Sequence, residues 1–200
     1  MPTGVHLRDA RRQLFDAAER VLLRDGPEAL TSRAVTDEAE CAKGVLHRHF
    51  ADFDAFLTEL VLDRAAQLET QAAALRESAG TGEVAGNVAG ALIALFGPVP
   101  MAIIPLITFR DGLRTRLRQA RPGGGIAILA EATAAIRAYL TDECELGRIA
   151  ADADVDSLAL SLVGGGHLLF ADRDSVPPGP AAVNRFVTTV LADVLQRRLL

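Results

Sequence analysis

The stretch Ala42–Phe50 reads "AKGVLHRHF", and Thr31–Cys41 before it reads "TSRAVTDEAEC". Lys43 is the only lysine in the chain, and Gly44, His47, Arg48 and His49 follow it closely. At helical spacing Leu46 and Phe50 share one inward face, Lys43 and His47 a second, and Gly44 and Arg48 a third. In the preceding segment Ala34, Val35, Ala39 and Cys41 read as a buried side, and Thr31 or Ser32 sits where an N-cap belongs. Two short helices joined by a tight connection through Glu40 and Cys41 form a helix-turn-helix. The first helix of that motif braces the second, which lies in the DNA major groove. The donors suit this task. Lys43 and Arg48 can reach guanine acceptors or phosphates, and Gly44 lets the backbone approach a base edge. His47 and His49 can donate to phosphate oxygens. The alternative reading of the same hairpin is a helical scaffold or adaptor that binds protein and no DNA.

Outward from this stretch the pattern stays helical. Leu14, Phe15, Ala18, Val21 and Leu22 recur at helical spacing across 9–24, and Gly26 and Pro27 supply the stop. Asp52 is an N-cap for a long helix through Phe56, Leu57, Leu60, Val61, Leu68 and Leu75 to about Ser78. "AGTGE" at 79–83 breaks the pattern. Beyond it the periodicity predicts a helix over 84–96, one or two short helices across 101–119, and a loop at "RPGGG" over 121–125. A helix over 126–146 and two last helices over 155–171 and 180–198 complete the chain. Strand-like alternation is absent.

Composition limits the function classes. The chain has 200 residues, half of them hydrophobic, with a net charge of −5, and Arg almost wholly replaces Lys. That length buries one good core, or a small module plus a larger bundle. Cys41 and Cys144 lie far apart and form no metal spacing, which favours a reduced, cytoplasmic protein with no metal. The N-terminus carries no apolar signal region, so no secretion is expected. The most apolar segment, 89–109, is interrupted by Gly97, Pro98, Pro100 and Pro105. It is expected to be a pair of short buried helices and no membrane span.

Residues 10–57 resemble the N-terminal domain of the TetR family of bacterial transcriptional repressors. The stretch "EALTSRAVTDEAECAKGVLHRHFADFDAFL" follows the family's pattern without gaps, at Leu30, Thr31, Arg33, Ala39, Lys43, Gly44, Leu46, Arg48, His49, Phe50 and Leu57. The resemblance implies an all-α protein. Residues 1–53 would form a three-helix helix-turn-helix DNA-binding domain, and 54–200 a helical ligand-binding and dimerisation bundle. It implies a cytoplasmic, homodimeric, ligand-responsive regulator, released as a repressor from a palindromic double-stranded DNA operator by a small-molecule effector. Three positions depart from the family: its turn glycine is Glu40, its recognition-helix tyrosine is His47, and its lysine opening the fourth helix is Phe53.

On this reading Thr31, Ser32, Arg33, Lys43, Gly44, Val45, His47, Arg48 and His49 form the DNA surface. Phe96, Met101 and Ile104, with Thr108, Arg110, Tyr139 and His167 as polar groups, line an apolar ligand site. The last two helices present Leu158, Leu162, Val163, Val187, Val190, Leu191, Val194 and Leu195 either to a second copy or to the protomer's own core. No enzyme is expected: G-x-S-x-G, H-E-x-x-H and a Walker loop are all missing. No cofactor is implied. Gly164–Gly166 inside an apolar helix points to close helix packing, and "DADVD" at 152–156 to helix capping rather than calcium.

Overall fold

The computed structural model describes residues 10–121, 127–171 and 177–197, which are helical with no strands. Ten helices run in order: α1 (Ala10–Asp25), α2 (Ser32–Glu38), α3 (Gly44–His49), α4 (Phe53–Glu77), α5 (Val84–Leu95), α6 (Pro98–Phe109), α7 (Asp111–Ala120), α8 (Ala127–Glu145), α9 (Val155–Phe170) and α10 (Pro180–Arg197). The expected loop over 121–125 lies, beyond Arg121, outside the described residues. Two compact units divide the chain: Met1–Arg64 with Pro98–Ile126, and Ala65–Gly97 with Ala127–Leu200. The first unit therefore takes in α6, α7 and the start of α4 as well as the N-terminal helices.

In the first unit the apolar stripe of α1, Leu14, Phe15, Ala18, Val21 and Leu22, is buried. Helix α1 packs on α2 and α3, and Val35 of α2, Leu46 of α3, and Phe56, Leu57 and Leu60 of α4 are all fully covered. Phe15, Phe50 and Phe56 form a ring cluster, with centroids 5.9, 5.6 and 5.0 Å apart. Each such pair adds about 0.5–1.5 kcal/mol beyond its area burial. Glu19 of α1 pairs with nearly buried Arg64 of α4. Burial holds the Glu19 carboxyl above its ordinary range despite that guanidinium. Helix α6 opens at Pro98, where a missing N–H costs nothing, and contains Pro105 in its interior.

In the second unit α8 packs on α9 and α10 on α5. A polar network ties the α4–α5 loop to α8. Asn87 Nδ2 donates to Tyr139 Oη (3.0 Å) and to the Thr81 carbonyl (2.9 Å). Arg148 pairs with fully buried Glu143 at 3.3 Å and donates to the Thr81 carbonyl at 3.2 Å. Two of the three consecutive glycines of α9, Gly164–Gly166, are explained by packing. A Cβ on Gly165 would collide with the Phe186 ring, and one on Gly166 would sit 2.8 Å from Phe96. Gly164 faces open space. Asp154 caps α9 by accepting from Ser157 N at 3.0 Å, as the capping reading of the acidic run expected.

The last two helices turn out differently from the stripe read in the sequence. Leu162, Val163, Val187, Leu191 and Val194 are buried in the protomer's own core. They had been candidates for a partner's face, and the helical period alone could not say which neighbour covers them. Leu160 and Leu168, 66% and 75% exposed, are the large apolar residues that α9 offers outward. Among the described residues no single helix is long and apolar enough to cross a membrane.

Candidate nucleic-acid interface

The site is built on α2 and α3. The Thr31 side chain accepts from Ala34 N at 3.1 Å and caps α2. Ser32, its first residue, is half-buried, and Arg33 is exposed and pairs with Asp37 across one turn at 3.4 Å. The turn between the helices is closed by two backbone bonds, Glu40 N to the Asp37 carbonyl (3.1 Å) and Cys41 N to the Thr36 carbonyl (3.0 Å). This is the Schellman pattern, which needs a left-handed residue at its centre. Glu40 takes that role at φ 52°, the one described non-glycine residue with positive φ. The Cys41 thiol beside it is pushed up by burial.

Helix α3 then orients its residues as the spacing required. Leu46 and Phe50 point inward, Val45 and His49 are half-buried, and Lys43, Gly44, His47 and Arg48 are exposed. Nothing would meet a Cβ at Gly44 within 4 Å, so open surface surrounds it. Neither Lys43 nor Arg48 has a carboxylate partner among the described residues. Among the described residues their charge is unpaired, although the chain as a whole is acidic. Of the acidic groups nearby, Asp37 and Glu38 are engaged elsewhere, and Glu40 is exposed in the turn. Glu38 pairs with Arg20 and Arg24 at 2.7 Å each, which holds its carboxyl below the ordinary range. Such a face attracts phosphates and presents donors to base edges.

Sequence reasoning missed the role of three arginines that brace this hairpin. Arg11 of α1 lies over the Phe50 ring at 4.5 Å, pairs with Glu59, and donates to the His49 carbonyl at 3.5 Å. Arg110 donates to the Leu30 carbonyl at 3.1 Å, and its guanidinium stands 5.8 Å from the centre of the Phe53 ring. Arg116 of α7 pairs with Asp52 at 2.7 Å. Asp52 caps α4 as expected, accepting from Ala55 N at 2.7 Å. Phe53 stacks on Phe56 at 5.6 Å. No local pattern marks long-range partners of this kind.

The candidate ligand residues are distributed over both units. In the first, Met101 and Ile104 are buried and the Thr108 hydroxyl donates to the Ile104 carbonyl at 2.9 Å. Arg110, expected as a ligand anchor, is directed instead to Leu30 and Phe53. In the second, Phe96 is buried against Phe170 (5.9 Å) and half-buried His167 (6.1 Å). Tyr139 is fully buried with its hydroxyl bonded to Asn87, and burial followed by its hydrogen bond to Glu143 pushes its pKa upward. Among the described residues no cluster of His, Cys, Asp and Glu has the makings of a metal site.

Residues 14–60 match the sequence pattern of the bacterial regulatory proteins of the tetR family. No curated protein matches the chain in sequence. Solved structures do match its fold. A TetR-family transcriptional regulator from Agrobacterium tumefaciens superposes with a TM-score of 0.68 at 12% identity, over 95% of this chain and 97% of that one. GusR of Salmonella enterica gives 0.67 at 16%, over 94% and 98%. FadR of Bacillus subtilis, solved with stearoyl-CoA, gives 0.62 at 16%, over 92% and 97%. Residues 14–60 of the chain thus carry the helix-turn-helix pattern of the tetR family of bacterial regulatory proteins, and the chain as a whole shares the all-helical fold of these solved structures.

Proposed function

We propose that this protein is a ligand-responsive repressor that binds a palindromic DNA operator as a homodimer. The observation that carries the reading is the exposed face of α3, where Lys43 and Arg48 are unpaired among the described residues and His47 stands beside them, set on an apolar base of Leu46 and Phe50. Lys43 and Arg48 reach bases or phosphates, and Gly44 admits the backbone. Thr31, Ser32 and Arg33 at the start of α2 meet the phosphate backbone beside them, with Val45 and His49 at the rim. Residues 1–53 form the DNA-binding domain, and 54–200 serve ligand binding and dimerisation.

A two-fold dimer places two recognition helices one turn of DNA apart, about 34 Å. The outward residues of α9, Leu160, Ser161, Gly164 and Leu168, support a dimer through the last two helices. Gly164 there leaves room for close approach of a second helix. The effector is a hydrophobic small molecule, in keeping with the apolar α5 and α6 and with the acyl-CoA bound by the B. subtilis neighbour. Its candidate contacts are Met101, Ile104 and Thr108 in the first unit, or Phe96, Tyr139 and His167 in the second. By binding one conformer better, it would draw the recognition helices out of half-site spacing and release DNA.

Selection of bound sequences from random duplex DNA tests the reading. It predicts enrichment of an inverted repeat whose half-sites lie one helical turn apart. Recovery of no sequence above background would refute it.

A further inference from the structure

We propose that Arg110 and Arg116 are positioning residues for DNA binding: the segment joining α6 to α7 holds the helix-turn-helix by both of its flanks. The inference rests on the DNA-binding reading above and deepens it.

The Leu30 carbonyl, which accepts from Arg110 at 3.1 Å, immediately precedes Thr31, the cap of α2. Asp52, which accepts from Arg116 at 2.7 Å, follows Phe50, the C-cap of α3, by two residues. The two contacts therefore bracket the whole α2–α3 hairpin, one at its entry and one at its exit. Both arginines belong to one rigid piece. Arg110 is the residue before α7 and Arg116 lies within it, about 9 Å further along the axis at 1.5 Å per residue. Helix α7 is seated by Leu113 and Leu117, both buried. Gly112 lets it close on the start of α4, since a Cβ there would stand 3.1 Å from Asp54 Oδ2.

Each grip has a second support. The Arg110 guanidinium lies over the Phe53 ring, within the range of a cation–π contact. An ammonium at position 53 would repel that guanidinium, so the phenylalanine found where the family resemblance implies lysine is compatible with the brace. Asp52 uses one carboxylate oxygen to cap α4 and the other to hold Arg116, and the Ala55 N–H and then Arg116 keep its carboxyl below the ordinary range. Stability does not account for the Arg116–Asp52 pair, because both side chains are about half exposed and such pairs contribute little. Orientation does account for it. A recognition surface must be held within about half an ångström of its working geometry by supporting contacts.

The test uses the full chain and the duplex recovered by selection, with affinity measured over a salt series. Arg110→Ala and Arg116→Ala are each expected to weaken binding about tenfold, with a salt slope equal to that of the unmodified protein. Hydrogen exchange across 30–52 should accelerate in both, while the midpoint of thermal unfolding stays in place. Arg116→Lys, which keeps the ion pair, should restore most of the affinity. Asp52→Asn keeps the cap oxygen and loses the charge, so it should match Arg116→Ala, and the double variant should be no weaker than either single. Unchanged affinity in the arginine variants, or a slope that falls by about one per subunit, would overturn the proposal. The second result would make the arginines direct phosphate contacts. A variant that proved unfolded would overturn it as well, by making the role structural. Failure of the unmodified protein to bind any duplex would instead remove the DNA-binding reading itself, and the positioning role with it.

Discussion

Glu40 occupies the centre of the α2–α3 turn at φ 52°, in a Schellman arrangement that glycine fills more cheaply. The chain itself supplies the comparison. Helix α8 ends with the same two bonds, Gly147 N to the Cys144 carbonyl and Arg148 N to the Glu143 carbonyl, both 2.9 Å, and there the left-handed residue is glycine at φ 67°. A side chain in this conformation costs about 1–2 kcal/mol because Cβ crowds the following carbonyl. Glycine gives back about 0.5–1 kcal/mol through the greater freedom of its unfolded chain. Glu40→Gly should therefore stabilise the protein by about 0.5–1 kcal/mol, a rise of about 1–4 °C in Tm at this chain length. The exposed Glu40 side chain has no hydrogen-bonding or ionic partner among the described residues, so its removal forfeits no contact. Glu40→Ala is the control, since it deletes the carboxylate and keeps Cβ. Unfolding of the three proteins by heat and by urea at neutral pH is the assay. Glycine should exceed alanine. Equal stability of the glycine and alanine variants would refute the strain argument and leave charge as the cause.

Phe53→Lys should steepen the salt dependence of DNA binding by about one unit per subunit if the new ammonium reaches a phosphate; an unchanged slope would place residue 53 away from the DNA backbone. The depressed Asp52 carboxyl contributes stability that is present above its unfolded value, about 3.9, and is lost as pH falls through its lower folded value. Hydrogen exchange at the start of α4 should thus stay slow to about pH 4 and accelerate below it, and early loss near pH 6 would contradict the assignment. Leu160→Glu with Leu168→Glu should convert a sedimenting dimer to monomer without altering helical content, because both side chains are exposed on the protomer; an unchanged dimer would move the interface elsewhere.

Helix positions were legible in the sequence because their signals are local. Gly26 and Pro27 end α1, Asp52 caps α4, and Asp154 caps α9, each within a residue or two of the observed boundary. The inward and outward faces of α3 followed from the same period. What was not legible is what each face meets. The apolar stripes of α9 and α10 fit a partner and the protomer's own core equally well by spacing, and Leu162, Val187 and Leu191 proved to be core. Arg110 read as a polar group among apolar helices. Its partner, Leu30, lies 80 residues away, and nothing in composition or period reports a contact at that separation. Gly165 and Gly166 did betray close packing, because glycine inside a helix has a cost that only packing offsets.

The central claim is that Lys43 and Arg48, unpaired among the described residues, bind duplex DNA. Its most direct measurement is the affinity of the unmodified protein and of the Lys43→Ala/Arg48→Ala double variant for one selected duplex, across a salt series. The double variant should lose specific binding by at least about 1–3 kcal/mol, and its salt slope should shrink by about one for each phosphate contact removed, while its helical content is unchanged. Equal affinity and equal slope in the two proteins would contradict the account.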